Sequence, residues 1–505
     1  MKVAVVGSGV SGLAATWLLN EHSDHEVHLY EADNRPGGHA NTVRFPSKEG
    51  VNVDSGFIVF NSCTYPNFLR FLNRYPEIPV APTEMTFSVS RDHGKFEWAG
   101  DTIFTVFCQP RRLIDPNMWR MLYDVLRFNA SAQRLVAQWN SGAVDLIEIS
   151  IGEYLNKEGY SQSFQDNYLI PMTATIWSTP PDKCALDFPA RTLMQFMHNH
   201  HLLQITGKPL GSQSQVGGIQ QYVKTILSSL PNSQLYLSTP VTSIRNNGSS
   251  LELTTSSGQT SNYDHVILAC HSDTALSILR TGGDVTKDEE TILGMFEWNK
   301  NAVVVHNDIQ LMPKARSAWS CWNYLTYSEV DEKGNRQANR DRLSYTSTDG
   351  MNDLQHISEK EHGPVLVTLN PPFEPASNFG RYSYDHPVLD GKAVQAQNLM
   401  SQIQGKRNIS YAGAYLKYGF HEDGFTSGLL AATAYAPALK PTVHLPFDIQ
   451  SAEDRAGKGS SYWNCGMACD IFEYSGLRGV VGFVLGTGLA CIVRVLSICG
   501  FNLEL

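Results

Sequence analysis

At the start of the chain, short apolar runs typical of strands alternate with a segment whose apolar residues have helical spacing. Residues 2–6, KVAVV, form the short β-branched run that is typical of a buried parallel strand. The glycine-rich run GSGVSG follows, the segment LAATWLLNE predicts a helix, and EVHLYE predicts a second strand. Strand, glycine loop, helix and strand in this order predict a parallel βαβ unit.

The glycine loop between the first strand and the helix has the spacing of a dinucleotide site. Gly7, Gly9 and Gly12 stand in a GxGxxG pattern. The first glycine allows a tight turn, the second lets the backbone approach a pyrophosphate, and the third lets the helix pack closely on the strand. The helix N-terminus, which includes Val10 and Ser11, offers free N–H groups and a positive dipole end to phosphates.

The residues after the second strand extend this site. Glu31 ends the strand 24 residues after Gly7, where a carboxylate can accept hydrogen bonds from both ribose hydroxyls. An arginine and a glycine pair follow, in the order ExxxRxGG. The cofactor contacts predicted in this segment are Glu31, Ala32, Arg35, Gly37, Gly38 and His39.

The far end of the chain carries a second glycine-containing turn. Residues 409–428 read ISYAGAYLKYGFHEDGFTSG, a strand-like start that leads into Gly413, Gly419 and an acid–glycine step at Asp423 and Gly424. The run FTSGLLAATAYA after this step predicts a helix. Between the two ends, residues 235–269 predict a meander of short strands and then a buried strand.

These motifs resemble those of a known superfamily. The ExxxRxGG arrangement resembles the extended fingerprint of the flavin amine-oxidase and phytoene-desaturase superfamily, and residues 409–428 resemble its C-terminal FAD motif. Over roughly residues 1–440, the chain is similar to a subgroup of predicted NAD/FAD-binding amine-oxidase-like oxidoreductases of bacteria and fungi. The runs that carry this likeness include PGGHANTV, VDSGFIVFN, PMTATIWSTP, VGGIQQYV, YDHPV and GFHEDGFTSGLLAA.

The resemblance implies an oxidoreductase that binds FAD non-covalently. It places the N-terminus of the helix after Gly424 at the flavin, where the positive dipole end would stabilise the anion formed on hydride uptake. It places Val241 at the adenine and Ala269 near the nucleotide. The contacts implied in the C-terminal motif are Gly413, Ala414, Glu422, Asp423 and Gly424.

The expected fold class is α/β, with a Rossmann-like FAD-binding domain built from discontinuous segments and an inserted α+β substrate domain. The FAD-binding domain is assigned to residues 1–75, 211–285 and 401–440, and the substrate domain to residues 76–210 and 286–400. Residues 441–505 form a tail.

Tyr415 and His421 are the catalytic candidates. Tyr415 is expected to contact the flavin, and His421 to hydrogen-bond it or to act as an acid or base near neutral pH. Amine oxidases of the superfamily carry a lysine near flavin N5. Lys300 and Asn301 both fit that place, and an exposed lysine at a strand start is the simpler interpretation of Lys300.

Aromatic side chains predict an apolar pocket for a lipid or an amine, although each of them is also an ordinary core residue. They are Trp177, Trp319, Trp322, Tyr324, Tyr345, Tyr415 and Tyr418. The cluster His198, His200 and His201 lacks a further ligand, so no metal site is predicted.

The net charge and the cysteines indicate which ligands and which cellular compartment to expect. The formal net charge is −10, which argues against nucleic-acid binding because phosphate recognition needs a basic face. The nine cysteines are scattered and without a CxxC pair, as expected for single thiols in the reducing interior of a cell.

A small-molecule substrate is the expected partner, and nothing in the sequence fixes the oligomeric state.

The C-terminal end is apolar. From Gly479 to Phe501 it is interrupted by Arg494 as its one charged residue, and its length is near the roughly 20 residues that span a bilayer. A membrane-seated helix and a helix packed on the protein both remain open.

Four functions are compatible with these observations. The first is an FAD-dependent dehydrogenase or desaturase that removes a hydride from a C–C or C–N bond of an apolar, lipid-like or specialised-metabolite substrate. The others are an amine oxidase that releases peroxide, a redox-neutral flavin isomerase that shifts double bonds, and an FAD-binding protein without turnover. Some bacterial relatives occur beside cyclopropane-fatty-acid synthase-type methyltransferases, an association that points to lipid chains.

Overall fold

The structure is a computed structural model that describes most of the chain. The described residues are 1–142, 149–178, 186–203, 212–330, 336–338 and 346–451, with 469, 471–473, 475, 477, 480 and 481. Cys184, Cys465, Cys491, Cys499 and Tyr345 lie outside them. The other five cysteines are free thiols.

The described part of the chain contains helices and strands in alternation. The strands are β1 (Lys2–Val6), β2 (Glu26–Tyr30), β3 (Thr42–Phe45), β4 (Val51–Asp54), β5 (Val59–Asn61), β6 (Val80–Pro82), β7 (Phe87–Arg91), β8 (Phe96–Ala99), β9 (Ser212–Gln215), β10 (Leu235–Tyr236), β11 (Val241–Asn246), β12 (Leu251–Thr255), β13 (Thr260–Tyr263), β14 (His265–Leu268), β15 (Glu297–His306), β16 (Trp322–Thr326), β17 (Ser328–Val330), β18 (Arg336–Ala338), β19 (Thr346–Gly350), β20 (Leu366–Leu369), β21 (Gly380–Val388) and β22 (Ile409–Tyr411). The α-helices are Val10–Glu21, Pro66–Leu72, Ile103–Val106, Pro116–Asn140, Ile151–Lys157, Gln162–Phe164, Ile170–Trp177, Ala190–Asn199, Gln220–Ser228, Ser272–Gly282, Lys287–Gly294, Met351–Leu354, Glu359–His362, Gly391–Leu399 and His421–Ala431. Gln165–Leu169 is a π-helical turn, and the 3₁₀ turns are Pro110–Ile114, Asn232–Gln234, Ile309–Leu311, Arg316–Ala318, Met400–Gln402, Lys406–Asn408, Ala414–Leu416 and Lys440–Thr442.

A parallel five-stranded sheet organises the FAD-binding domain. Its order is β10–β2–β1–β14–β22, and every neighbouring pair is parallel. The strands come from three separate parts of the sequence, and the meander β11–β12–β13 adjoins them as a separate antiparallel sheet. The α/β class with a discontinuous parallel sheet is therefore confirmed. The carboxyl ends of the strands meet at one edge, where ligands bind in such sheets.

Aromatic packing fixes the helices against this sheet. Trp17, in the helix Val10–Glu21, is fully buried. Its ring lies 5.0 Å from that of Phe71, 6.3 Å from that of Phe425 and 6.1 Å from that of Phe447. The N-terminal helix, the helix Pro66–Leu72, the helix His421–Ala431 and the start of the predicted tail thus share one core.

A second, mostly antiparallel sheet forms the substrate domain. Its seven strands run in the order β21–β15–β20–β19–β16–β7–β8, and only β16 and β7 are parallel neighbours. Alternate residues such as Val303, Val305 and Val367 pack against Phe45 and Val53 of the β3–β4 hairpin. We call this surface of the sheet its inner face, because it is turned towards the FAD-binding domain.

The first part of the predicted tail lies on the FAD-binding domain. Val443, Phe447 and Ile449 pack against its core, and the Gln450 N–H donates to Asn67 Oδ1 over 2.9 Å. Apart from residues 480 and 481, the apolar segment 479–501 lies outside the described residues. Where helices are described, none combines the length and the apolar character needed to cross a membrane.

Candidate functional site

Two helices begin side by side at the carboxyl edge of the parallel sheet. A Cβ on Gly424 would lie 2.5 Å from Val10 Cγ1, and a Cβ on Gly428 would lie 2.1 Å from the Ser11 carbonyl oxygen. Only glycine permits this close approach of the helices Val10–Glu21 and His421–Ala431. Their N-termini therefore face the same space with two positive dipole ends, an arrangement suited to an anion.

The GxGxxG loop has the steric properties that its spacing predicts. Gly7 has a φ of +104°, and a Cβ there would lie 2.7 Å from the Ala269 carbonyl oxygen. A Cβ on Gly12 would lie 1.8 Å from the Gly7 carbonyl oxygen, whereas a Cβ on Gly9 would meet no atom within 4 Å. Gly7 and Gly12 thus close the turn, and Gly9 borders open space where a ligand can approach the backbone.

Glu31 lies at the end of β2 and is held by the loop. Its carboxylate accepts hydrogen bonds from the Ser8 N–H and hydroxyl and from the Asp33 N–H, with both N–H bonds 2.8 Å long. The side chain stays half-buried. A carboxylate has about four acceptor positions, so Glu31 retains the capacity to bind a ribose hydroxyl.

The second predicted loop lies directly on the first. The Gly37 N–H donates to the Ser8 carbonyl over 3.0 Å, and a Cβ on Gly38 would lie 3.1 Å from Gly9 Cα. Arg35 Nη1 donates to the Gly38 carbonyl over 2.9 Å. The arginine therefore holds the glycine pair against the dinucleotide loop.

The other predicted nucleotide contacts cluster at the same edge. The Thr239 N–H donates to the Glu31 carbonyl over 2.8 Å, which places Val241, two residues later and buried, beside this loop. Ala32 is exposed. The Ala269 N–H donates to the Val6 carbonyl over 2.8 Å.

Tyr415 lies in a buried turn after β22. The Gly413 N–H donates to Ser427 Oγ over 2.9 Å, and a Cβ on Gly413 would lie 2.1 Å from the Tyr415 ring. The ring contacts Phe296 and Trp298 edge-on. Its hydroxyl is buried and has no hydrogen-bond partner among the described residues, so it is free to meet a bound molecule. A Cβ on Gly424 would come within 3.6 Å of Ala414 Cβ, so this turn also borders the helix N-terminus.

His421 is enclosed by aromatic rings. It stacks on Phe57 with the ring centroids 3.8 Å apart, and Phe68 lies edge-on to it at 5.2 Å. Its Nε2 is 2.9 Å from the Tyr222 hydroxyl, and the two groups share a hydrogen bond. Burial lowers the pKa of His421 to about 3, so the imidazole is neutral at physiological pH. The expected acid or base role near pH 7 therefore lacks a suitable pKa in this environment.

We expect Tyr222→Phe to lower the free energy of unfolding by about 1–3 kcal/mol, because the buried His421 Nε2 loses its hydrogen-bond partner. Urea denaturation measures this change, and Tyr236→Phe, at a more exposed hydroxyl 3.1 Å from His28 Nδ1, is the matched control with a smaller loss. Loss of flavin from Tyr222→Phe at unchanged stability would instead show that this hydroxyl binds the cofactor.

The two acidic residues of the C-terminal motif bind backbone N–H groups. Glu422 Oε1 accepts from the Asn67 N–H and Oε2 from the Phe68 N–H, each over 2.9 Å. Burial raises the pKa of Glu422 to about 8, although these N–H groups oppose the shift. Asp423 Oδ2 accepts from the Phe420 N–H over 3.0 Å. Both carboxylates thus stabilise helix starts, and a direct cofactor contact by either stays a prediction.

Four histidines lie close together where the two domains meet. The pKa of His39 lies well below its usual value because of burial and then of repulsion from His386, His271 and His421. Burial also lowers the pKa of His386 to about 4 and depresses that of His271. The rings of His39 and His386 are 5.2 Å apart, and that of His39 is 4.9 Å from Tyr384. These side chains give a polar but uncharged lining.

Asn301, and not Lys300, lies beside these histidines. The Lys300 side chain is exposed on β15, whereas Asn301 is fully buried. Asn301 Nδ2 donates to the Ser178 carbonyl over 2.8 Å and to His386 Nδ1 over 2.9 Å, and its Oδ1 accepts from Asn370 Nδ2 over 2.7 Å. The simpler interpretation of Lys300, an exposed lysine at a strand start, is thus confirmed, since the strand alternation turns its side chain outward.

A buried carboxyl group lies further along the inner face. Asp349 pairs with Trp322 on β16 and with Val367 on β20, and it is 6% exposed. Burial is the cause that raises its pKa to about 8, and no described residue hydrogen-bonds its carboxyl group. A neutral acid among apolar and aromatic side chains can donate a hydrogen bond to a bound molecule.

The aromatic residues predicted to line a pocket lie in several parts of the structure. Trp177 Nε1 donates to the Tyr418 carbonyl over 3.0 Å, so these two residues meet at the helix that precedes Ser178. Trp322 and Tyr324 lie on the inner face of the sheet. Trp319 lies under the Arg316 guanidinium in the loop before β16. His200, from the histidine cluster, packs on Phe196 at 3.9 Å as a core residue.

One family accounts for this arrangement. The family described as flavin containing amine oxidoreductase matches residues 10–288, which is more than half of the chain. The chain belongs to this family. It is therefore a flavin-dependent oxidoreductase, as the resemblance implied.

Solved structures share the fold of this amine oxidoreductase. Cyclohexylamine oxidase from Brevibacterium oxydans IH-35A is 14% identical, with a TM-score of 0.58, and the match covers 87% of this chain and 99% of that one. A fatty acid isomerase from P. acnes that produces CLA is 13% identical, with a TM-score of 0.57 and coverage of 85% and 97%. UDP-galactopyranose mutase is 16% identical, with a TM-score of 0.57 and coverage of 88% and 94%.

The residues of this amine oxidoreductase fit a flavin dinucleotide. The open side of Gly9 and the paired helix N-termini suit the pyrophosphate, and Glu31 suits a ribose. The unpartnered Tyr415 hydroxyl and the uncharged imidazoles suit a flavin ring at the domain interface. When bound, the flavin supplies a hydride acceptor.

Several site residues were missed by sequence reasoning. Ser427 follows the acid–glycine step by four residues and could have been found there as the partner of Gly413. His386 lies in the family-like run YDHPV, which marked its segment but gave it no role. Asp349 has no local signal, because only the pairing of β16, β19 and β20 buries it.

Proposed function

We propose that this chain binds FAD non-covalently and removes a hydride from a C–C or C–N bond of an apolar, lipid-like or specialised-metabolite substrate. The observation that carries the proposal is the uncharged lining of the domain interface. His39, His386 and Asn301 meet there, and each is neutral. An apolar substrate can enter such a space without desolvating a charged group.

Each element of the lining has a role in this proposal. Asn301 and the groups bonded to it form a rigid wall that orients the substrate's C–H bond, and the aromatic rings of the inner face exclude water. Cys270 lies beside Tyr415, and burial raises the pKa of its thiol to about 12. A neutral thiol is a poor nucleophile, which supports non-covalent binding of FAD.

A second candidate function is amine oxidation with release of peroxide. Asp349 favours it, because a lone buried carboxyl group near Trp322 and Tyr324 would ionise readily next to a substrate ammonium group.

Anaerobic reduction of the holoprotein tests both candidates. Bleaching of the flavin absorbance by unsaturated acyl lipids supports the first, and bleaching by amines supports the second. If neither class bleaches a flavin that dithionite reduces, hydride removal from these substrates is excluded. Conversion of a lipid double bond without bleaching would then show a redox-neutral isomerase.

We expect Asn301→Ala to slow substrate-dependent flavin reduction by about tenfold or more, because the substrate wall loses its central hydrogen-bonding group. Lys300→Met, one residue away on the exposed side of β15, is the matched control and is expected to stay within about twofold of the parent rate. Stopped-flow absorbance at equal flavin content measures both. A larger effect from Lys300→Met would place the lysine in the site.

A further inference from the structure

An unusually apolar surface lies on the helical side of the substrate domain. Sixteen large apolar side chains are exposed among the described residues, and ten of them fall within residues 103–126 and 471–481. We define the apolar face as Ile103, Phe104, Leu113, Ile114, Trp119 and Leu126. Phe104 is 85% exposed and Trp119 is 51% exposed. Six exposed large apolar side chains within one short segment indicate an interaction surface.

The helix Pro116–Asn140 is apolar on two sides. Trp119, Leu122, Tyr123 and Leu126 follow the i, i+3, i+4, i+7 spacing of one helical stripe. Met118, Met121, Val125 and Phe128 are buried on the opposite side, in the core of the substrate domain. Leu122 also packs against that core, whereas Trp119 and Leu126 are 51% and 46% exposed, so the core does not account for these two positions of the outer stripe.

The described part of the tail meets this stripe. The ring of Phe472 lies edge-on to Tyr123 at 5.5 Å, and Glu473 lies 3.6 Å from Arg120. Ile471 and Val480 are 58% and 62% exposed. The sequence that follows is the apolar run up to Phe501. The chain thus continues from the apolar face into its most apolar segment.

The polar residues around the face indicate what covers it. Trp119 Nε1 donates to the Leu113 carbonyl over 2.8 Å, so its ring presents an apolar body with a satisfied polar tip, as tryptophan does at membrane interfaces. Lys95 and Arg111 are exposed next to one another, since Arg111 donates to the Lys95 carbonyl. Asp101 flanks the helix Ile103–Val106, and burial and nearby acids raise its pKa. The basic side chains thus lie on the Leu113 and Trp119 side of the face and the acidic one beside Ile103, and the aromatic, aliphatic and basic groups of the first side suit a lipid headgroup boundary.

We propose that the apolar face docks on the surface of a lipid bilayer. The substrate domain would then lie against the membrane that holds apolar molecules, which rests on the proposed function and deepens it by naming the surface from which a lipid-like substrate is drawn. Docking needs no helix that crosses the bilayer, because Phe104, Trp119 and their neighbours reach only the headgroup and outer acyl region.

Co-sedimentation of the full-length holoprotein with phosphatidylcholine vesicles, with and without phosphatidylserine, tests this proposal. We expect the wild type to bind, more strongly with phosphatidylserine, and Phe104→Asp to reduce the bound fraction about fivefold or more. Phe373→Asp changes a phenylalanine that is 40% exposed and outside the apolar face, so it should bind like the wild type. Flavin content and thermal melting of each variant verify folding.

Three outcomes would overturn the proposal. The first is that the wild type binds neither kind of vesicle. The second is that Phe104→Asp binds vesicles as well as the wild type does. The third is that the protein does not bind vesicles but forms a dimer, which Phe104→Asp dissociates. Vesicle binding does not depend on turnover, so anaerobic reduction of the same samples shows separately whether the proposed function fails.

Discussion

Gly12→Ala is expected to yield a protein with little or no bound flavin and a strongly lowered melting temperature. The added methyl group would lie 1.8 Å from the Gly7 carbonyl oxygen and 3.3 Å from Ala269 Cβ. No rotamer change relieves this clash, because a Cβ position is fixed by the backbone. The helix Val10–Glu21 must move off β1, which disturbs both the core around Trp17 and the phosphate site.

Gly9→Ala is the matched comparison for this prediction. A Cβ at Gly9 meets no atom within 4 Å, and its φ of −64° is accessible to alanine. We expect the apoprotein to melt like the wild-type apoprotein while FAD affinity falls about tenfold or more, because the methyl group occupies the approach of the pyrophosphate. Flavin fluorescence titration and calorimetry measure the two quantities. Equal flavin affinity in Gly9→Ala and the wild type would remove the pyrophosphate from this loop.

Asp349→Asn is expected to become progressively more stable than the wild type as the pH rises. The pKa of Asp349 is about 8 in the folded protein against an ordinary value of 3.8, because burial disfavours its charged form. The unfolded chain therefore loses this proton at lower pH than the folded chain does. Wild-type stability is fully present below pH 4 and falls by about 1.4 kcal/mol per pH unit until about pH 8. Asparagine has the shape of the neutral acid and does not titrate.

Urea denaturation of both proteins at several pH values measures this difference. Between about pH 5 and pH 8 the gap should grow by about 4 kcal/mol and then remain constant. Asp390→Asn is the control, because Asp390 is a partly exposed helix cap whose Oδ1 accepts the Ala393 N–H. A gap that stays constant over this range would show that the Asp349 carboxyl group is solvated.

The nucleotide half of the site could be read from the sequence because its chemistry is local. Gly7, Gly9, Gly12 and Glu31 lie within 25 residues, and each has a steric or hydrogen-bonding task that follows from one βαβ unit. The parallel sheet confirms that unit. The C-terminal turn could also be predicted from the sequence, since its glycines and the helix after it are adjacent in the chain.

The flavin-facing half could not be predicted in the same way. Side chains alternate between the two faces of β15, so either Lys300 or Asn301 faces the site. A shift of one residue in the position of the strand exchanges the two. The environment of His421 depends on Phe57, Phe68 and Tyr222, which are distant in sequence, so its low pKa had no local signal. Burial, which determines charge here, is a property of the assembled domains.

The order of strands in the parallel sheet has a consequence for biosynthesis. The edge strand β22 joins β14, and the Glu422 carboxylate reaches back 355 residues to the Asn67 N–H. The helix Val10–Glu21, in which nine of twelve residues are buried, thus leaves the ribosome long before its partner helix His421–Ala431 is translated. The nascent chain must keep this surface shielded for most of its synthesis, so chaperones should hold it until the helix His421–Ala431 emerges.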